Sequence, residues 1–172
     1  MIYFIRHGQS QANADNVFGS PETPLTEIGR QQAKAAGEKL KADGIVVDRI
    51  ISSTYGRAVD TAKIIADEIG FGIDKIQYDH RLVEFNVGDL VGKTESGVST
   101  QQAVSANGAE DAHSFQHRVV AAMSDAKALP GNTLVVSHAG VGRMITAIKL
   151  GIDPRDHHSI EPFANAQIVA LD

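Results

Sequence analysis

The chain has 172 residues, 42% of them hydrophobic, a formal net charge of −5 and no cysteine. That length supports one domain with a full core, and the acidic balance argues against nucleic acid, whose binders need a dense basic face. Disulfides, thiolate metal sites and thiol nucleophiles are excluded, and with no bilayer-length apolar run and no segment resembling a signal peptide, a cytoplasmic protein that binds no membrane is expected.

In chain order, Ile2, Tyr3, Phe4 and Ile5 read as a buried strand that delivers Arg6, His7 and Gly8 to its end, where α/β proteins place chemistry. Ser10 and Asn13 follow at once. Thr26 caps a predicted amphipathic helix running to about Asp43, with Ile28, Ala33, Ala36 and Leu40 on its inner face and Gly44 as its stop. Residues 49–52 read as a short buried strand, and 57–69 as a helix carrying Ala58, Ala62, Ile65 and Ile69 inward before Gly70 ends it. Arg57 then lies in that helix's first turn. A strand at 76–78 precedes Arg81, Leu82 and Glu84, while residues 94–113, polar and rich in small side chains, read as a surface excursion. A capped helix over 114–129 carries Phe115, Val119 and Met123, and 134–136 is the clearest buried strand. Ser137, His138 and Ala139 lead from it into a helix over 140–150, and alternation at 165–171 marks a last strand. Strand and helix signals that alternate across short connections predict an α/β fold. The expected architecture is a three-layer sandwich, a mostly parallel central sheet flanked by helices on both faces, in a single domain over 1–172.

Two histidines and two arginines at strand ends or helix starts make chemical sense together if the ligand is a phosphoryl group. Arginine forks bind phosphate oxygens bidentately, and helix N-termini offer free N–H groups to the same anion. A neutral imidazole can attack phosphorus to form a phosphohistidine that water later resolves, which splits one hard displacement into two easier ones. A carboxylic acid must protonate the leaving oxygen, and Glu84, just after an apolar turn, is the candidate. A cation in a helix's first turn opposes the dipole unless an anion binds there, which favours a functional Arg57. The scheme requires no metal and no cofactor. His157 and His158 beside Asp153 and Asp156 look like a metal-binding tract, but adjacent histidines on a polar loop are usually solvated, and they are assigned no role. His80, His113 and His117 are treated likewise. Gly140, Val141 and Gly142 lack the third glycine and the acidic residue of a dinucleotide-binding turn and read as helix-start geometry.

Over nearly its whole length the chain resembles the histidine phosphatase superfamily, also called the phosphoglycerate mutase-like family. The resemblance rests on Arg6-His7-Gly8-Gln9-Ser10 with Asn13, on Pro24-Leu25-Thr26 with Gly29 and Gln32-Ala33, and on Ser52-Ser53 with Arg57-Ala58 and Thr61-Ala62. Leu82 with Glu84 and Gly88, and Val136-Ser137-His138-Ala139-Gly140, complete it. It implies that His7 is the phosphorylated nucleophile, that Arg6, Arg57 and His138 form the phosphate pocket, that Glu84 donates the proton, and that Asn13 adds a phosphate hydrogen bond. Two departures, Ala139 for a common glycine and Tyr55 for a common leucine, remove no chemical group. A third bears on substrate: phosphoglycerate-handling members carry a long basic insertion after the acid, whereas residues 94–113 here contain neither lysine nor arginine. A clamp for a doubly anionic substrate therefore has no evident source.

The leading expectation is a metal-independent phosphatase of a small phosphorylated metabolite, followed by a phosphoglycerate mutase and a protein phosphohistidine phosphatase. A catalytically silent phosphate-binding module ranks last, because His7, Arg6, Arg57, Glu84 and His138 are all present. The expected partner is the small substrate alone, with homodimerisation left open.

Overall fold

The computed structural model describes residues 1–171. Its sheet is built from β1 (Ile2–Arg6), β2 (Arg49–Ser52), β3 (Gln77–Tyr78), β4 (Thr133–Ser137) and β5 (Ile168–Leu171), in the order β3-β2-β4-β1-β5. Every pairing is parallel except that of the edge strand β5, which runs antiparallel to β1. The period of two along a strand divides the core between the sheet's faces. Ile5, Ile50, Leu134 and Val136 meet Ala36, Leu40, Ala58, Ala62 and Ile65 on one side. Phe4, Ile51 and Val135 meet Phe115, Val119, Val141 and Met144 on the other. After the short α1 (Gln11–Asp15), the first set of helical residues belongs to α2 (Glu27–Ala42) and α3 (Gly56–Ile69), the second to α5 (Ala112–Ala128) and α6 (Ala139–Leu150), so helices cover both faces as expected. Side chains such as Phe4 and Phe115, wholly buried, each stabilise this arrangement by about 1.5–3 kcal/mol. No helix among the described residues is long and apolar enough to cross a membrane.

Capping divides the helices into two groups. Thr26 and Asp111 cap α2 and α5 by accepting the N–H of Gly29 and of Ser114. The helices α3 and α6 have no side-chain cap and no acidic residue in the first turn. Their leading amides and positive dipole ends are thus left for other partners.

Several expectations are corrected. Ile28 does not face inward and is 55% exposed. The buried stripe of α2 runs through Gly29, Ala33, Ala36, Gly37 and Leu40 instead. The cause is backbone packing: a Cβ on Gly29 would collide with the backbone of Gln9, and one on Gly8 with the backbone of Gly29. Two glycines in contact bring α2 against the loop carrying His7, and that rotates Ile28 outward. The surface excursion at 94–113 is mostly exposed, as expected, and it additionally holds a short helix, α4 (Thr100–Ser105), started by a capping box on Ser99 and burying Ala103. Asp111 also starts α5 two residues before Ser114.

Candidate active site

The parallel register sets the ends of three strands side by side, Arg6 opposite Ser137 and Ser52 opposite Val136. One residue further on, the N–H of His7 donates to the Ser137 carbonyl, and that of Ser53 to the Val136 carbonyl, both at 2.9 Å. His7, Ser53 and His138 thereby leave the sheet at one edge, all of them buried. The His7 ring is fixed at both nitrogens. Nδ1 lies 2.6 Å from the Gly8 carbonyl, which can only accept, so Nδ1 carries the proton. Nε2 keeps its lone pair and accepts from Arg57 Nε at 3.1 Å. Burial, then the charges of Arg57 and Arg6, hold the His7 pKa well below its usual value against the opposing pull of the Gly8 carbonyl. A neutral imidazole whose Nε2 lone pair accepts from Arg57 is the result.

His138 stands edge-on to His7 with ring centroids 5.2 Å apart. Its Nε2 is 2.7 Å from Ser53 Oγ, which also accepts from the Tyr55 N–H at 3.2 Å. The hydroxyl proton of Ser53 has no other acceptor among the described residues, so it points at Nε2 and leaves the His138 proton on Nδ1. That Nδ1–H is buried without a partner, and burial followed by the Arg57 charge keeps this ring neutral too. Arg57 is anchored by Nη1 to the Ser20 carbonyl at 2.7 Å, and Arg6 by Nη1 to the Phe163 carbonyl at 2.8 Å. Burial pulls both guanidinium pKa values down, an effect that the Glu84 charge opposes. The amide of Asn13 is oriented by the Ser10 N–H, which donates to Oδ1 at 3.0 Å. Oδ1 also accepts from Asn165 Nδ2 at 3.2 Å. The Nδ2 group of Asn13 therefore faces away from these contacts as a donor.

Glu84 reaches this cluster from the opposite wall. Oε1 accepts from the N–H of Phe85 at 2.8 Å and from that of Gly140 at 2.9 Å, so the carboxyl sits on the uncapped start of α6. A Cβ on Gly140 would collide with Oε1, which explains glycine at that position. The cavity that results is bordered by Arg6, His7, Asn13, Arg57, Glu84 and Gly140 and has a volume of about 70 Å³. Clefts for drug-sized ligands run to about 300–1,000 Å³, so this one fits a phosphoryl group and little of the alcohol attached to it. Arg6, His7, Asn13, Arg57 and Glu84 all line it, and His138 stands directly behind His7.

Other residues at the site escaped the sequence reading. Arg143, Phe18, Glu95 and His158 also border the cavity. Arg143 lies one helical turn beyond Gly140 and so shares its face, and an arginine in an otherwise apolar helix start was the available signal. Its Nε donates to the Ile160 carbonyl at 2.7 Å and its Nη1 to His158 Nδ1 at 3.2 Å. The solvated tract expected at His157 and His158 is corrected as well: His157 is fully buried against Phe85 and Phe115. A polar sequence conceals this because Phe85 and Phe115 come from distant segments to enclose it.

The sequence profile of the histidine phosphatase superfamily (branch 1) matches residues 2–172. The chain is 34% identical over 163 residues to the probable phosphoglycerate mutase GpmB of Salmonella newport, spanning 86% of this chain and 74% of that protein. It is 36% identical over 114 residues to the 2,3-bisphosphoglycerate-dependent phosphoglycerate mutase of Parvibaculum lavamentivorans, spanning 66% of this chain and only 52%, about half, of that relative's length. The fold is similar to that of the mycobacterial glucosyl-3-phosphoglycerate phosphatase solved with VO3, with a TM-score of 0.78, 24% identity, and coverage of 97% of this chain and 90% of that one. The profile match across the whole fold, on a chain that brings two histidines and two arginines to one sheet edge, makes this protein a phosphatase- or mutase-type enzyme that belongs to the histidine phosphatase superfamily.

Proposed function

We propose that the chain is a metal-independent phosphatase of phosphomonoesters, working through a phosphohistidine on His7 and acting on a small phosphorylated metabolite. The observation that carries this reading is the state of His7: Nδ1–H bonded to the Gly8 carbonyl, and a lone pair on Nε2 facing the cation Arg57. Nε2 attacks phosphorus while the ester P–O bond breaks, and Glu84 gives its proton to the departing oxygen. Arg6, Arg57 and the Asn13 amide take up the charge on the equatorial oxygens, as preorganised donors do, with His138 packed behind His7. Water then attacks phosphorus, its proton passes to the Glu84 carboxylate, the P–N bond breaks, and His7 returns with inorganic phosphate released.

Rapid-quench labelling with a phosphorylated substrate tests the reading. The expected label is acid-labile and base-stable, lies on the first tryptic peptides, and disappears together with turnover in His7→Ala. Label that persists in that variant overturns the assignment. A second reading, phosphoglycerate mutase, draws support from Arg143, a cation at the cavity wall that could hold a substrate carboxylate, and from the names of the sequence relatives.

A further inference from the structure

Glu84 lies between the 3₁₀ turns His80–Leu82 and Gly88–Leu90, in a segment whose backbone is held by no helix and, in strand fashion, only by the isolated bridge of Val87 to Ala109. Backbone carbonyls in such a segment need partners from elsewhere. Arg118, projecting from α5, supplies them. Its Nη1 donates to the carbonyls of Arg81 and Val83, both at 2.7 Å, and its Nη2 to the Glu84 carbonyl at 3.1 Å. On the other edge of the guanidinium, Nε and Nη2 fork onto the Glu110 carboxylate at 2.7 and 2.9 Å. The Phe115 ring lies 4.5 Å from the guanidinium carbon. Glu110 closes the loop from its own side, donating its N–H to the Asn86 carbonyl at 2.8 Å and accepting the Asn86 N–H at 3.4 Å. Arg118 itself does not border the cavity.

We propose that Arg118, held flat by Glu110, is a positioning residue for the proton donor: it fixes the backbone of 81–84 so that the Glu84 carboxyl stays on the Gly140 amide and beside the leaving oxygen. Lysine cannot replace it, because a single ammonium group cannot span carbonyls on one edge and a carboxylate on the other. A residue that only supports the fold slows every substrate alike. One that acts through the acid slows the first phosphoryl transfer mainly from esters whose leaving oxygen is basic, because a good leaving group departs without a proton.

The inference rests on Glu84 being the acid, and the experiment keeps the two apart. kcat/KM, which reports the first phosphoryl transfer and not the hydrolysis of the phosphohistidine common to all substrates, is measured for an alkyl phosphate and for an activated aryl phosphate in the unchanged chain, Arg118→Lys, Glu110→Gln, Glu84→Gln and the Glu84→Gln/Arg118→Lys double variant, with vanadate inhibition reporting on the phosphate pocket. In Arg118→Lys the alkyl ester should lose about tenfold or more and the aryl ester less than about threefold, with vanadate inhibition unchanged. Glu110→Gln should show the same selectivity to a smaller degree. It also carries the test if Arg118→Lys does not fold, since it leaves the arginine in place. In the Glu84→Gln background, Arg118→Lys should add less than about twofold, the non-additivity of two residues acting in one step. Equal losses on both esters, or a loss that adds in full to that of Glu84→Gln, overturn the positioning role. If Glu84→Gln separates the esters and neither Arg118→Lys nor Glu110→Gln does, only the role of Arg118 fails; if Glu84→Gln does not separate them, the acid assignment fails with it.

Discussion

At the scale of single residues, Asn13 allows a clean substitution, because its two ends do different work. Oδ1 accepts from the Ser10 N–H and from Asn165 Nδ2, whereas Nδ2 is left as a donor toward the cavity. Asn13→Asp keeps the accepting oxygen and replaces the donor by an anion. Thermal stability should hold within a few degrees, while the vanadate inhibition constant should rise by about tenfold or more, equivalent to about 1.4 kcal/mol or more of lost anion binding. Unchanged inhibition would remove Asn13 from the phosphate site. Arg6, His7 and Arg57 could be singled out in the sequence because each ends a strand or opens a helix whose pattern could be read, and Glu84 only because it follows an apolar turn. Arg118 and Ser53 could not be given roles there. Their work is to bond the Glu84 backbone and the His138 ring, and those partners are 34 and 85 residues away.

At the scale of elements, the 3₁₀ helix Pro154–Ser159 stores a pH dependence. Burial, ahead of any charge effect, lowers the pKa of His157, and that of His158 is held down to about 3 by burial and then by the neighbouring His157 and Arg143. His7 and His138 are lowered in the same direction. Free histidine titrates near about 6.5, so below that pH the unfolded chain binds protons that the folded chain refuses. The stability from keeping these rings neutral is complete above the unfolded pKa and is lost as pH falls toward the lowered folded values. Each group should cost on the order of 1 kcal/mol per pH unit in that window. The melting temperature should therefore drop between about pH 7 and pH 5, above the range in which carboxylates near about 4 titrate. Gln in place of both His157 and His158 should flatten the slope, and a flat profile in the unchanged chain would contradict the burial argument. The helices α2, α3, α5 and α6 were legible from their period and their stops, whereas α4 was too short to show a period. The rotation of α2 was not, because the contact between Gly8 and Gly29 that turns Ile28 outward involves no side chain at all.

At the scale of the whole molecule, the mostly parallel sheet gathers the candidate catalytic groups, but in the proposed reaction the walls of the cavity would decide the fate of the product. The sheet could be anticipated from alternating strand and helix signals. The walls could not, since Phe18, Glu95 and Arg143 reach one cavity from separate stretches of chain. A mutase must hold its departed product and keep water out until the phosphoryl group returns to a second oxygen, which calls for several cationic contacts and an enclosing cover. Here Arg143 is one such cation, Glu95 on the same rim opposes an anionic product, and residues 94–113 contribute no lysine or arginine. Phosphoglycerate should accordingly be hydrolysed to glycerate and inorganic phosphate faster than it is isomerised, and added bisphosphoglycerate should give no large stimulation. Arg143→Gln should raise KM for phosphoglycerate by about tenfold while leaving that for glycerol phosphate within about twofold, the loss of one charged hydrogen bond to a carboxylate. Phosphorus NMR of a single reaction mixture reads both isomer exchange and phosphate release. Isomer interconversion that outruns phosphate release would assign the protein to the mutases, with Arg143 as the grip that holds the product in place.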